Sequence, residues 1–328
     1  MKKILNTCLK IVLPFLLGGL ILYRTYRDFD LSKVGDALAH LNWFWMSVSL
    51  VFGVMSHVLR GWRWKLTLEP MGEHVRSSNC VYAIFVSYAS NMIIPRLGEI
   101  SRCGVLVKYD GVSFSKALGT VVTERLIDSL CVLLIICGTL LVNFHVFDSF
   151  FAKTGSNIHS IADLLSSPVL YIVGASTVAF LVLVYFLIRK LSFFVHVQKF
   201  MKNVWEGISS LRKVQNFPLF IFYTVGIWAC YFLHFYLTFY CFDFSAHLGW
   251  MAGMAMFVAG SIAVLVPTPN GAGPWHFAII AMMSLYGVSW EDAGIFALIV
   301  HGIQTLLIIL LGIYGLAVLP FTNKRKKL

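Results

Sequence analysis

Two interruptions, at corresponding places in the two halves of the chain, constrain what it can fold into. Pro95-Arg96-Leu97-Gly98-Glu99 and Pro267-Thr268-Pro269-Asn270-Gly271-Ala272-Gly273 each break an apolar run that otherwise reads as a membrane helix. Each is followed by one short phrase, Gly111-Val112-Ser113 with Ala117 in the first half and Gly287-Val288-Ser289 with Ala293 in the second. A long apolar helix follows in both cases. Paired, Gly/Pro-broken hydrophobic segments at matching places in two halves point to the central site of a transporter-like fold.

The rest of the composition agrees. A mean hydropathy of +0.80, with 59% hydrophobic and 12% charged residues, places the chain in the integral-membrane class. Its net charge of +11 does not imply nucleic acid, because the basic residues sit between apolar segments and at the two ends. The apolar stretch 11–23 follows Met1-Lys2-Lys3 with no small-x-small cleavage site after it, so a retained signal-anchor helix is expected. Seven cysteines form no C-x-x-C pair, and neither a disulfide framework nor a zinc site is indicated. Cys103 is expected to react with thiol reagents from the cytoplasmic side.

Apolar segments cover about 4–23, 43–59, 79–94, 118–144, 169–188, 218–242, 250–266 with 276–286, and 293–319. Leu31, Val34, Leu38 and Leu41 have the spacing of an interfacial helix, and 193–214 is a second, basic amphipathic stretch. The linker 189–217 holds Arg189, Lys190, Lys199, Lys202, Arg212 and Lys213 against Glu206 alone, so it belongs in the cytoplasm. The linker 145–167 holds Lys153 against Asp148 and Asp163 and belongs outside. Both placements hold only if 79–116 enters from the cytoplasm, breaks at Pro95 and returns; the basic C-terminal end then lies inside if 250–286 does the same from outside.

The expected fold is therefore an all-α polytopic membrane protein with about six full transmembrane helices and two opposed re-entrant helical hairpins in an inverted repeat. The whole chain forms a single transmembrane domain, with repeat A at about 43–144, a connecting region at 145–217 and repeat B at about 218–319. It lies in the cytoplasmic membrane with both termini inside. Broken backbone at membrane depth must be buried or line a wet cavity, so the two breaks are expected to meet around a polar pocket.

Four groups of residues carry the chemistry. The first is Arg96, Glu99 and Arg102, with Asn91 a turn earlier; Glu99 and Arg102 pair if helical. Charges within a membrane cost about 2.5–3.5 kcal/mol each on insertion scales and mark a function or a tight pair. The second is Glu124, Arg125 and Asp128, either a structural ion cluster or a phosphate site with Arg125 as ligand. The third is Arg60 and Arg63 among tryptophans, read as headgroup anchors or as a basic vestibule for anionic lipid. The fourth is Asn270, Gly271, Gly273 and His276, where the glycines offer an anion-binding nest near the start of a half-helix at His276. His301 and Gln304 lie opposite Arg125 and Asp128 by repeat alignment; His301 is either a hydrogen-bonded core residue or a proton-coupling group. No G-x-S-x-G elbow, H-E-x-x-H pair or P-loop occurs, and no catalytic residue, metal ligand or cofactor is assigned.

With those residues in view, the chain resembles the transmembrane domain of the lysylphosphatidylglycerol synthases, flippase-like membrane proteins also found as stand-alone chains. The resemblance runs through Arg60-x-x-Arg63-Trp64, Pro95-Arg96-x-Gly98-Glu99-x-x-Arg102, Glu124-Arg125-x-x-Asp128 and the Pro-x-Pro-x-Gly-x-Gly stretch from Pro267. It implies translocation of lipid across the bilayer. Two departures stand out: no soluble aminoacyl-transfer domain is expected after Leu328, and His276 occupies the place of a glutamate common in the family. The leading expectation is a translocase for an anionic or phosphate-bearing lipid, with Arg96, Arg102 and Arg125 receiving phosphate and Pro267–Gly273 gating. A membrane-embedded headgroup transferase and a non-catalytic partner of an envelope-biosynthesis enzyme are the alternatives. Membrane lipids are the expected partners, without nucleic acid.

Overall fold

The computed structural model describes residues 2–27, 29–30, 32–94, 97–142, 205 and 214–323. Pro95, Arg96, the expected span 169–188 and nearly all of the two linkers around it lie outside the described residues. The described residues form ten α-helices and no strand: α1 (Lys2–Tyr26), α2 (Ser32–Ala39), α3 (Trp43–Leu68), α4 (Ser77–Ile93), α5 (Leu97–Asp110), α6 (Phe114–Val142), α7 (Phe217–Tyr236), α8 (Trp250–Ala263), α9 (Pro274–Leu285) and α10 (Trp290–Thr322).

Four stretches are long and apolar enough to cross a membrane: Trp43–Met71, Phe114–Val142, Phe217–Cys241 and Trp290–Thr322. They coincide with four of the six expected spans. The first expected span falls on α1, where Val12–Tyr26 is a shorter apolar helix. The second was expected to end at residue 59, but α3 runs on to Leu68 with Arg60 and Arg63 buried inside the protein. Their charges do not end the helix because carboxylates from α6 meet them. The expected interfacial helix is α2, which has no buried residue and is tied to the start of α10 by Lys33–Glu291 at 2.9 Å. The Ser32 hydroxyl and amide both donate to Asp30 at the start of α2 and hold its carboxyl below the usual range.

At each expected break the chain turns back on itself. Helices α4 and α5 pack together, as do α8 and α9. The longest of the four has 17 residues, about 26 Å at 1.5 Å per residue and short of a ~30 Å hydrocarbon core. The first break follows from Pro95, whose ring pushes the preceding residue out of the helical region; Ile94 is extended, at φ −134 and ψ 119. The Gly98 amide then donates to Asn91 Oδ1 at 2.7 Å. A Cβ on Gly98 would lie 2.4 Å from the Ser87 carbonyl and 2.6 Å from Asn91 Nδ2, so only glycine lets α5 close onto α4. The second break is backbone-driven: Asn270, Gly271 and Gly273 all take positive φ, and Pro274 occupies the first turn of α9. A Cβ on Gly273 would meet the Gly18 carbonyl of α1 at 2.8 Å. The two breaks are neighbours, since α4 packs on the 3₁₀ turn Pro269–Gly271.

The repeated phrase is a helix-to-helix connector. Gly111 and Gly287 both adopt positive φ (70 and 86). The next amides, on Val112 and Val288, donate back to Leu106 and Met283. Ser113 and Ser289 precede α6 and α10, and their carbonyls accept from Ala117 and Ala293, each at 3.0 Å. Packing between the halves is reciprocal: α3 lies against α7, α4 against α10, and α8 against α6. One apolar core surrounds α8, α9 and the first half of α10, and another surrounds α4, α5 and Trp64.

Gly98→Ala is expected to force α5 off α4 and cost roughly 1–3 kcal/mol, as overpacking does. A lowered thermal midpoint of detergent-solubilised protein checks this, with Gly104→Ala, whose Cβ would point into open space, as the unaffected control.

Candidate functional site

Arg60 and Arg63 sit one turn apart on α3, and Glu124 and Asp128 one turn apart on α6, so two complementary faces meet. Arg63 is fully buried and bridges the two acids, with Nη2 2.8 Å from Asp128 Oδ1 and Nε 3.4 Å from Glu124 Oε1. Arg60 binds the other oxygen of Asp128, and its Nε donates to the Tyr231 hydroxyl of α7 at 3.3 Å. Tyr231 in turn shares a 2.6 Å hydrogen bond with Tyr88 of α4. Arg102 of α5 reaches Glu124 Oε2 at 2.7 Å and stacks on Trp64, whose indole N–H is held by Thr120 at 2.9 Å. Arg63 Nη1 also donates to Thr224 of α7 at 3.4 Å. Five charged side chains therefore join α3, α5 and α6, and neutral hydroxyls extend the network to α4 and α7.

Burying charges this deeply costs several kcal/mol per ion unless opposite charges and hydrogen bonds compensate. Compensation here is incomplete in one sense. Arg60, Arg63 and Arg102 oppose Glu124 and Asp128, so these five leave one positive charge in excess. Arg102 Nε and Nη2 are buried without a hydrogen-bond partner among the described residues. At the rim, Arg125 Nε lies 3.3 Å from Glu99 Oε1, with side chains 41% and 25% exposed. That contact lacks hydrogen-bond geometry, and Glu99 Oε2 also has no partner among the described residues. The rim pair is neutral and leaves the excess unchanged.

Several expectations need correction. Glu99 and Arg102 share α5 but do not pair with each other; each turns to α6, Glu99 to Arg125 and Arg102 to Glu124. Arg60 and Arg63 are not interfacial anchors, because their side chains are 3% and 0% exposed and bound to acids. Asn91 closes the first hairpin turn. The Gly271–Gly273 nest does not form: the amides of Gly271 and Ala272 donate to Thr268 and Pro269, and that of Gly273 to His276 Nδ1. The half-helix starts at Pro274 instead of His276. Cys103 is fully buried and offers no thiol to a reagent. Arg96 lies outside the described residues.

The second-half residues form a separate group. His301 Nε2 meets the Asn270 carbonyl at 3.0 Å, and the Asn270 amide donates to Thr305 at 2.8 Å. His276 packs against His301 with ring centroids 4.5 Å apart. Gln304 donates to the His234 carbonyl at 3.2 Å. Among the described residues, no ion pair or hydrogen bond joins this group to the arginine cluster, although the backbones of the two breaks are adjacent. The sequence reading missed Trp64, Thr120, Thr224 and Tyr231 as cluster members. The available signal was the match of an i, i+3 arginine pair to an i, i+4 acid pair.

Asp128→Asn is expected to destabilise the protein by about 3–5 kcal/mol, because Arg60 and Arg63 lose a shared counter-charge. Arg63→Met is expected to cost less, because Arg60 keeps Asp128 and Arg102 keeps Glu124, while Arg63→Met with Asp128→Leu, which leaves Arg60 without a carboxylate, is expected to cost more than Arg63→Met alone. Thermal unfolding of the three variants in one detergent checks the order.

No curated protein and no solved structure gives a significant match to the chain. The family model described as the lysylphosphatidylglycerol synthase TM region matches residues 11–312, nearly the whole sequence. The chain belongs to the lysylphosphatidylglycerol synthase transmembrane-region family.

Proposed function

We propose that this protein is a translocase for an anionic, phosphate-bearing lipid. The observation that carries the reading is the buried cluster, whose five described charges leave one positive in excess, with two Arg102 donors that have no partner among the described residues. A buried guanidinium with open N–H groups suits one phosphate oxygen or two, in the fork geometry that lysine lacks. Arg102 and Arg63 would hold the phosphate, Glu124 and Asp128 would fix the arginines, Arg125 would receive the lipid at the rim, and Arg96 would add a further cation for the phosphate. Membership of a family named for lipid-modifying synthases supports a lipid substrate. The adjacent second break, with Asn270, His276 and His301, would act as the moving part on the far side.

The topology belongs to the same proposal. The two helix–break–helix units are re-entrant from opposite faces, the halves form an inverted repeat, and both termini are cytoplasmic. The reciprocal packing of the halves and the shortness of α4, α5, α8 and α9 support this. One observation favours a second reading, a non-transporting partner of an envelope enzyme: each buried arginine already has a carboxylate, as a purely structural cluster requires.

In liposomes, wild-type protein is expected to move a labelled anionic phospholipid between leaflets. Arg102→Lys and Arg96→Ala should each slow it by about tenfold or more, an energy of about 1.4 kcal/mol or above. Wild-type rates equal to those of protein-free vesicles would sink the transport reading in favour of the partner. For topology, cysteines replacing Lys108 and Trp290 in a cysteine-free background should label from opposite sides of the membrane. Labelling from one side would refute the inverted repeat.

A further inference from the structure

An apolar groove of 380 Å³ runs between α6 and α7, lined by Cys131 and Leu134 of α6, Thr224, Val225 and Trp228 of α7, and Phe257 of α8. It begins at the ion cluster. Thr224, one of its walls, takes the Arg63 Nη1 hydrogen bond. Cys131 lies three residues beyond Asp128 on α6 and Trp228 four beyond Thr224 on α7, so the groove follows the same helix faces away from the charges. Leu134 and Val225 are 64% and 63% exposed, which places the mouth of the groove on the lipid-facing surface. Between the two ends, the buried Trp228 Nε1 meets only the Cys131 thiol, a weak acceptor, and has no oxygen partner among the described residues.

Charge, then a donor with no oxygen partner, then an apolar slot is the order of a phospholipid read from phosphate to ester to chain. A cavity of about 150 Å³ accepts one benzene, so this groove has room for roughly fifteen carbons at that density. That is one acyl chain. We infer that the groove seats one acyl chain of an ester-linked anionic phospholipid whose phosphate lies at Arg63 and Arg102. The lipid enters sideways from the bilayer between α6 and α7, and Trp228 donates to an ester carbonyl. The inference rests on the cluster being a phosphate site. It adds the seat of the acyl chain and the entry path: a headgroup phosphate without a chain is a poor ligand.

The test is photo-crosslinking of the full chain reconstituted with phosphatidylglycerol carrying a diazirine in one acyl chain, followed by peptide mapping. Adducts are expected on residues 131–135 and 225–232. Filling the groove from its exposed lip, by Ala229→Trp or Val225→Trp, should lower their yield about tenfold. Two variants guard against misfolding of either, and each is first checked for a monodisperse peak and a wild-type melting point. Adducts spread evenly over other lipid-facing positions such as Leu310 and Ile313 of α10, or undiminished in both folded variants, would overturn the inference. Groove adducts without lipid movement would support the groove and remove only the transport reading. Lipid movement with adducts elsewhere would remove the groove alone.

Discussion

Arg63 holds the first half of the protein together. Its guanidinium contacts both acids of α6, and each acid takes a further arginine, from α3 or from α5. Removing either acid leaves arginines without a counter-charge, and removing an arginine strips an acid of buried hydrogen bonds, so the members depend on one another. The apolar core around Trp64 depends on the same geometry, because Trp64 is both the platform for Arg102 and the donor to Thr120. The position of α5, and so the closure of the first hairpin, is set by Arg102 and Gly98 together.

The two halves reach the same shape by different means. Their connectors are equivalent, a left-handed glycine, a buried valine and a serine before the next helix. The breaks are not. The first is turned by proline, bridged by Asn91 and flanked by charges. The second is turned by three residues with positive φ, and imidazoles, backbone and the Asn270 amide supply its hydrogen bonds, while Thr268 Oγ1 is buried without a partner among the described residues. On the proposed reading, this divides binding from movement: a rigid charged side and a neutral side with fewer ionic ties.

What was legible in the sequence had local causes. Four spans, the helix after residue 31, both breaks and both connectors follow from hydropathy, proline and glycine, each acting within a few residues. The cluster was visible only in fragments, since Arg63 meets its acids 61 and 65 residues away and no pattern in one segment reports the other. Glu99 and Arg102 illustrate the failure. Their spacing allows a pair on the helix surface, but stronger partners on α6 take both. The glycine nest failed for a related reason, because amides able to bind an anion were already used in making the turn.

The packing of α1 gives the second break its outer wall. The Gly18 carbonyl and Ile21 stand where a side chain on Gly273 would project, and the Ala272 carbonyl stands 3.0 Å from where one on Gly18 would begin. Two glycines thus let bare main chain touch bare main chain across the two elements. A helix that sequence reading treats as a tether is in this respect a shutter. On the proposed topology, were it drawn aside, the turn at residues 269–273 would face hydrocarbon with its carbonyls exposed, a state that lipid cannot solvate. The same topology would commit the helix nearest the N-terminus and the hairpin nearest the C-terminus to move together or not at all.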